Sequence, residues 1–186
     1  MYKIALAHFK ASDPILYRVS LKYKNIRLSK SDDYFLSLCR EIIGQQLSTR
    51  VAHLIFERFK NLFPDKKITP EHTLAIPEGT MRSVGTSWAK AIYIKDIAEK
   101  VTAKKVRLNV LHTLTDEEVI AELTQIKGVG IWTAEMFLMF SLGRPDVFSY
   151  GDLGLQNAIR TLYKLKNKPS VHQMTRLSKK WIPYRT

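Results

Sequence analysis

The sequence has a single cysteine, Cys39, among its 186 residues. One cysteine excludes an internal disulfide, a four-cysteine zinc site and an iron–sulfur cluster held by cysteines of this chain. Long apolar runs are also missing, since no stretch of about 18 uncharged apolar residues occurs. Basic residues interrupt the short apolar N-terminus, which is atypical of a secretory signal. We therefore expect no membrane association, and a location with the nucleoid in the cytoplasm of a prokaryote or in the nucleus of a eukaryote.

Acidic residues are scarce at both ends of the sequence. Residues 153–186 contain none, and Asp13 is the only acid in residues 1–30. Over the whole chain, 30 Lys and Arg outnumber 17 Asp and Glu, which gives a formal net charge of +13. This excess favours a polyanionic partner, most often nucleic acid. A solubilising surface or attraction to membrane headgroups would also account for it.

Strand-like alternation of polar and apolar residues is missing too, and the apolar spacing is helical. It predicts amphipathic helices in the segments 12–24, 32–47, 48–63, 87–101, 115–126, 152–165 and 170–182. The core positions of the second and third are Phe35, Leu38, Cys39, Ile42 and Ile43, then Val51, Leu54, Ile55, Phe59, Leu62 and Phe63. Residues 131–142 are apolar on nearly every side, which is typical of a buried helix. N-caps are predicted at Ser48, Ser87 and Thr115. The fold class is all-α, with a groove between the early and late halves.

The segment K-G-V-G, residues 127–130, joins two of the predicted helices. Gly128 and Gly130 permit positive φ and leave no side chain between the turn and an approaching group. Amides at the start of the next helix would then face outward, where the helix N-terminus favours an anion such as phosphate. An ordinary turn between two helices would use the same glycines. The net charge favours the phosphate interpretation.

Asp152 begins a predicted helix in the cationic C-terminal part of the chain. Ser149 with an acid three positions later is the pattern of a capping box, in which Asp152 would only start the helix. A lone carboxylate facing nucleic acid can instead stabilise a cationic sugar-like transition state or activate a water molecule. The spacing alone leaves both interpretations open.

Four segments occur in an order that resembles a known family. They are E-I-I-G-Q-Q-L-S at 41–48, a G-x-S-x-x-K pattern at 85–90, L-T-Q-I-K-G-V-G-I-W-T-A-E-M-F at 123–137 and D-V-F-S-Y-G-D-L-G at 146–154. From Asp33 to Thr186 the chain resembles the helix–hairpin–helix superfamily of DNA glycosylases, in its alkylation-repair branch, 3-methyladenine DNA glycosylase II. The resemblance implies two packed helical subdomains with the binding groove between them. It also implies one domain over 1–186, with the hairpin motif at about 116–142 and no N-terminal β-domain.

The resemblance implies a role for individual residues. Asp152 matches the catalytic aspartate that stabilises an oxocarbenium-like sugar. The amides of Gly128 and Gly130 and the Thr133 hydroxyl match phosphate contacts, and Gln46 matches the residue that wedges into the duplex beside a flipped nucleotide. Its neighbour Gln45 is expected to satisfy backbone groups at the turn. The remaining matches are the carbonyls that hold a structural Na⁺, K⁺ or Mg²⁺, at Thr124, Ile126 and Val129, and the base-pocket residues Trp132, Met136, Phe140 and Ser141. Core packing is the alternative for Met136 and Phe140.

Departures from the family pattern narrow the expected activity, cofactor and pocket. Members with lyase activity carry lysine directly after the hairpin, where this chain has Trp132, so no amine is available there to form a Schiff base. Iron–sulfur members need four cysteines. Members commonly continue past the segment W-x-P-Y-R, here residues 181–185, into another helix, so we expect either more chain or a more open pocket.

These observations predict a monomeric, monofunctional glycosylase that excises alkylated purines, of the 3-methyladenine and 7-methylguanine type, from duplex DNA and requires no cofactor. Two alternatives remain open. A non-catalytic helix–hairpin–helix DNA-binding protein would use the same glycines and charges, and Asp152 would be only a helix cap. A glycosylase for deaminated or oxidised bases would keep the fold and differ in its pocket.

Overall fold

The computed structural model describes residues 2–23 and 26–186, in which every regular element is helical. The chain forms two compact units, and each has its own core. The central unit, Ser31–Leu142, contains α3 (Tyr34–Gly44), α4 (Thr49–Lys60), α5 (Pro70–Ala75), α6 (Glu78–Ser83), α7 (Trp88–Thr102), α8 (Asp116–Leu123) and α9 (Ile131–Phe140). The terminal unit, Met1–Lys30 and Gly143–Thr186, contains α1 (Tyr2–Ser12), α2 (Pro14–Ser20), α10 (Leu153–Leu162) and α11 (Val171–Ser178). In the described residues, no helix is long and apolar enough to cross a membrane.

The predicted N-caps are confirmed. Ser48, Ser87 and Thr115 accept the amides of Val51, Lys90 and Glu118, so each satisfies a first-turn N–H that has no partner within its helix. Predicted helices are often longer than the observed ones. The helix predicted for 115–126 ends at Leu123, and that predicted for 12–24 is α2, with Lys24 outside the described residues.

The apolar pattern of α3 is confirmed, since Phe35, Leu38, Cys39, Ile42 and Ile43 are all buried. Full burial also raises the pKa of the Cys39 thiol, which suits an inert core residue. In α4 the pattern is wrong at Val51 and Leu54, which are 42% and 50% exposed, while Phe56 is buried. Apolar residues cover so much of α4 that their spacing does not decide which part faces the core.

Three helices were not predicted from the sequence: α1, α5 and α6. The last two have six residues each, too few for a periodic pattern. Helix α1 contributes Phe9 to the core of the terminal unit, which also contains Phe148, Ile159, Met174 and Trp181.

A buried carboxylate holds the terminal unit together. Asp13 is 3% exposed and caps α2 by accepting the amides of Ile15 and Leu16, both at 3.1 Å. Its Oδ2 accepts the Tyr163 hydroxyl at 2.5 Å and the Trp181 indole N–H at 3.0 Å. Burial alone would raise the pKa of Asp13, but these hydrogen bonds outweigh it and hold the pKa below its ordinary value. The bonds link the start of α2 to the end of α10 and to the C-terminal segment.

Replacing this carboxylate should destabilise the protein. Asp13→Asn keeps the cap, but its NH₂ group cannot accept from Tyr163 or Trp181. We expect a loss of about 3 kcal/mol in the free energy of unfolding, measured by urea denaturation. Because the folded pKa lies below the unfolded value of about 3.9, the wild-type advantage is present above that value. It disappears as the pH falls through the folded-state pKa.

Asp33→Asn is the matched control. Asp33 caps α3 through the Leu36 amide at 2.9 Å. The hydroxyls of Ser31 and Ser37 donate to its backbone carbonyl, and within the described residues no ring N–H or O–H donates to its carboxylate. Asparagine caps helices as well as aspartate does, so we expect this variant to lose less than about 0.5 kcal/mol. Equal losses in the two variants would contradict the role given to the Tyr163 and Trp181 bonds.

Candidate functional site

The hairpin, residues 124–130, connects α8 to α9 and contains two glycines. Only one of these two positions requires glycine. Gly128 has φ of +80°, and a Cβ built there would lie 2.1 Å from the Tyr93 ring. Gly130 has φ of −92° and ψ of 178°, and nothing lies within 4 Å of a Cβ built on it. Of the two glycines, which both permit positive φ, only Gly128 uses it, and the backbone of Gly130 is extended.

Gly130 matters instead as the N-cap of α9. It has no side chain to accept a first-turn amide, and α9 has no side-chain cap. By contrast α3, α4, α7, α8, α10 and α11 are capped by Asp33, Ser48, Ser87, Thr115, Asp152 and Ser170. The first turn of α9 thus combines the positive end of a helix with open space at residue 130, which suits a phosphate group.

Helix α7 supports the hairpin from below. The Tyr93 ring packs under Gly128, and Asp96 accepts the backbone amide of Lys127 at 2.8 Å. Burial alone would raise the pKa of Asp96, but the ammonium of Lys100 at 2.5 Å, the Lys127 amide and the Lys127 charge outweigh it and lower the pKa. The carboxylate therefore stays ionised and fixes the start of the turn.

The glutamine turn, residues 45–48, follows α3 directly. Gln46 is exposed and has φ of +58°, a conformation that few residues other than glycine adopt. Lys90 donates to the carbonyls of Ile43 at 2.9 Å and Gln45 at 2.8 Å, so its ammonium caps the negative end of α3. Burial lowers the pKa of this ammonium. The G-x-S-x-x-K pattern thus has a structural reason, because Ser87 caps α7 and Lys90 holds the glutamine turn.

Gln45 joins the glutamine turn to the hairpin. Its side-chain amide donates to the Gly128 carbonyl at 2.9 Å and to the Thr133 hydroxyl at 3.2 Å. Gln45 was expected to serve its own turn, but it bonds a different loop. Thr133 is 4% exposed, so its predicted phosphate contact depends on a hydroxyl that already accepts from Gln45.

One face of α9 is apolar and exposed. Ile131, Trp132 and Phe140 are 63%, 43% and 58% exposed, whereas the opposite face is buried through Ala134, Phe137 and Leu138. The prediction that this helix is buried all round is therefore wrong, and core packing is excluded for Phe140. Trp132, half-buried Met136 and Phe140 recur every four residues and form an apolar stripe. Ser141 lies apart from it, 3% exposed, where its carbonyl accepts the Ser31 amide.

Asp152 lies in the terminal unit, as the N-cap of α10. Its Oδ1 accepts the Leu155 amide at 2.6 Å. The capping box predicted from Ser149 is wrong, because α10 begins at Leu153 and its N-cap is Asp152, three residues after Ser149. The carboxylate is half-buried and held in a fixed position at a helix start, where it is compatible with either of its two predicted roles.

The three carbonyls predicted to bind a cation lie in the hairpin. Thr124 is the C-cap of α8, and the Ile126 carbonyl accepts the Val129 amide at 3.1 Å, which leaves this carbonyl oxygen a second lone pair. Carbonyl oxygens are hard ligands of the kind that Na⁺, K⁺ and Mg²⁺ prefer, so the donors fit such an ion.

The chain matches the family model described as HhH-GPD superfamily base excision DNA repair protein over residues 39–184. The chain belongs to this superfamily. The matched range contains the hairpin, the whole glutamine turn and Asp152. The match confirms the all-α fold class and the family resemblance seen in the sequence.

Individual HhH-GPD proteins are similar over most of the chain. DNA-3-methyladenine glycosylase 1 of Schizosaccharomyces pombe is 35% identical over 88% of this chain and 73% of its own length. The solved structure of the S. pombe 3-methyladenine DNA glycosylase in complex with abasic DNA has a TM-score of 0.83 at 33% identity, covering 97% of this chain and 90% of that one. A DNA-3-methyladenine glycosidase from Bacillus halodurans also has a TM-score of 0.83, at 34% identity, covering 98% and 84%. A Bacillus subtilis relative is 35% identical over 82% of this chain. The matched region spans 56% of that relative's own length.

Several residues of this site were missed in the sequence. Tyr93 and Asp96 had no assigned role, although an acid between the apolar residues Ile94 and Ile97 signals a buried carboxylate that needs a partner. The contacts of Gln45 with a loop 83 residues away leave no signal in local spacing.

The two hairpin glycines should differ in their tolerance to alanine. Gly128→Ala forces a methyl group into the Tyr93 ring at positive φ, and we expect a loss of about 2 kcal/mol or more in the free energy of unfolding. Gly130→Ala adds a methyl group in open space and should cost under about 1 kcal/mol, since alanine is a weaker N-cap than glycine. Thermal denaturation measures both. Similar losses in the two variants would show that the Tyr93 ring does not restrict the residue at position 128.

Proposed function

We propose that this protein is a monofunctional DNA glycosylase that hydrolyses the N-glycosidic bond of alkylated purines in duplex DNA. The hairpin is the main support for this proposal. The start of α9 has no side-chain cap, which suits a phosphate, and the hairpin before it is held by the Tyr93 ring and the Asp96 carboxylate. Relatives at 32–35% identity are named DNA-3-methyladenine glycosylases, which supports alkylated bases as the substrate class.

The hairpin and the glutamine turn bind and deform the DNA. First-turn amides of α9 hold a backbone phosphate, and the carbonyls of Thr124, Ile126 and Val129 hold a monovalent or divalent cation that offsets the charge of that phosphate. Gln46 fills the space left in the base stack when the target nucleotide rotates out, and its amide bonds the orphaned partner base. Lys90 and Gln45 keep Gln46 in position for this task.

The reaction needs few chemical groups because the substrate is activated. An alkylated purine carries a positive charge, so it departs with the electron pair of the broken glycosidic bond and needs no proton from a general acid. The Trp132–Met136–Phe140 stripe suits such a base through cation–π and sulfur–arene contacts. Asp152 stabilises the oxocarbenium-like sugar and orients the water molecule whose oxygen bonds to C1′. The proton lost by that water passes to solvent.

A non-catalytic DNA-binding protein is the second candidate. The cap that Asp152 makes with the Leu155 amide is what a purely structural aspartate would show. The two functions differ in what they predict for the carboxylate charge.

Asp152→Asn separates capping from chemistry. Asparagine caps a helix as well as aspartate does, so the variant should keep its fold and its melting temperature. Loss of the carboxylate charge should slow release of 3-methyladenine from methylated duplex DNA by at least about 100-fold, followed by chromatography of the freed base. Release at the wild-type rate would contradict the catalytic role. Parallel duplexes with 7-methylguanine, hypoxanthine, 8-oxoguanine and uracil define the substrate range.

Gln46→Ala should impair nucleotide flipping, because it removes the amide that occupies the vacated stack. A fluorescent base analogue beside the lesion reports flipping, and we expect its signal to fall several-fold. Lys90→Met should lower the fluorescence signal less, because it removes the bonds that hold the glutamine turn but keeps the Gln46 side chain.

Lys95→Met is the matched control for Lys90→Met. Lys95 also belongs to α7 and donates to a helix-end carbonyl, that of Leu74 at 2.6 Å, but this bond holds α5. We expect it to leave flipping unchanged. Equal effects of the two lysine variants would mean that general destabilisation, not the glutamine turn, explains the loss.

A further inference from the structure

The excess of positive over negative charge in the chain lies in one of its two units. The terminal unit contains 16 Lys and Arg but 3 Asp and no Glu, whereas the central unit contains 14 Lys and Arg and 14 Asp and Glu. The terminal unit therefore carries the whole formal charge of +13, and the unit that contains the hairpin is neutral.

The three carboxylates of the terminal unit are engaged elsewhere. Asp13 is buried with Tyr163 and Trp181, and Asp152 caps α10. Asp146 accepts from the Arg185 guanidinium at 2.7 Å and 3.0 Å. The other cations of this unit have little acidic charge left to neutralise them.

Seven of these cations form the basic segment, residues 160–180. All seven are exposed, and in the part of the chain that the structure describes no ion pair joins any of them to a carboxylate. They are Arg160, Lys164, Lys166, Lys168, Arg176, Lys179 and Lys180. Like charges this dense repel one another, and a polyanion relieves that repulsion.

At the end of α10, Lys164 occupies a backbone position where glycine is preferred. The Leu165 amide bonds the Arg160 carbonyl at 2.9 Å and the Lys164 amide bonds the Thr161 carbonyl at 3.3 Å, which is the Schellman pattern. Lys164 takes the left-handed position with φ of +53°, at a cost of about 1 kcal/mol relative to glycine.

We propose that the basic segment is a second DNA-binding surface, which holds the phosphates of duplex DNA regardless of sequence or lesion. It adds to the hairpin and accounts for the concentration of charge in the terminal unit. Each phosphate neutralised by a lysine or arginine releases condensed counterions, so binding through this surface is strongly salt-dependent. The inference rests on DNA as the partner of the proposed function, but not on base excision.

The central unit offers a matched control. Helix α7 ends in the same Schellman pattern, with the Lys105 amide on the Lys100 carbonyl at 2.8 Å and the Lys104 amide on the Val101 carbonyl at 3.0 Å. Lys104 has φ of +56°, and both Lys104 and Lys105 are exposed. The variants K164G/K166Q and K104G/K105Q therefore each remove two charges and relieve the same backbone strain.

Binding to a lesion-free duplex, followed by fluorescence anisotropy at several NaCl concentrations, tests the proposal. For K164G/K166Q the slope of log K against log salt concentration should become shallower by about 1.8, the value for two lost phosphate contacts. K104G/K105Q should keep the wild-type slope. Equal slopes in the two variants would overturn the proposal. Because the duplex has no lesion, the outcome is independent of whether the protein excises bases.

Two further measurements complete the test. Both variants should melt at or slightly above the wild-type temperature, since glycine suits both turns, so weakened binding cannot be attributed to unfolding. Binding to phosphatidylglycerol vesicles identifies the other polyanion. If K164G/K166Q loses vesicle binding and keeps the wild-type slope on DNA, the surface faces a membrane and the proposal is wrong.

Discussion

The side-chain amide of Gln45 makes the contact that joins the hairpin to the glutamine turn. It joins the loop that ends α3 to the hairpin that starts α9, through the Gly128 carbonyl and the Thr133 hydroxyl. Helix α7 contacts each loop separately, and Gln45 bonds one loop directly to the other. With this bond, Gln46 and the first turn of α9 keep a fixed separation, which is what a protein needs if it is to hold a phosphate and fill a base stack at the same time.

Helix α7 holds both of the loops that Gln45 joins. Lys90, Tyr93 and Asp96 are three residues apart in turn, so they follow one side of the helix and reach the glutamine turn, Gly128 and Lys127 respectively. Each satisfies a backbone group or fills space that a loop would otherwise leave open. Loops that carry binding residues are commonly mobile, and these are tied to a rigid element of 15 residues.

Much of this architecture follows from the sequence, for identifiable reasons. Helix starts are local, so Ser48, Ser87 and Thr115 could be predicted from residue type alone. The hairpin could be found because two glycines between helices are a local signal. Burial is not local, and the predictions that α9 is buried all round and that Val51 and Leu54 belong to the core were wrong for this reason. Apolar composition is the same for a core helix and for an exposed face that binds an apolar group.

The burial of Trp181 against Asp13 has a spectroscopic consequence. The chain has three tryptophans; Trp181 is 5% exposed in the terminal unit, while Trp88 and Trp132 are about half exposed in the central unit. A buried indole whose N–H faces a carboxylate emits differently from a solvated one. Unfolding of the terminal unit exposes Trp181 to solvent, so tryptophan emission reports that step without any attached label.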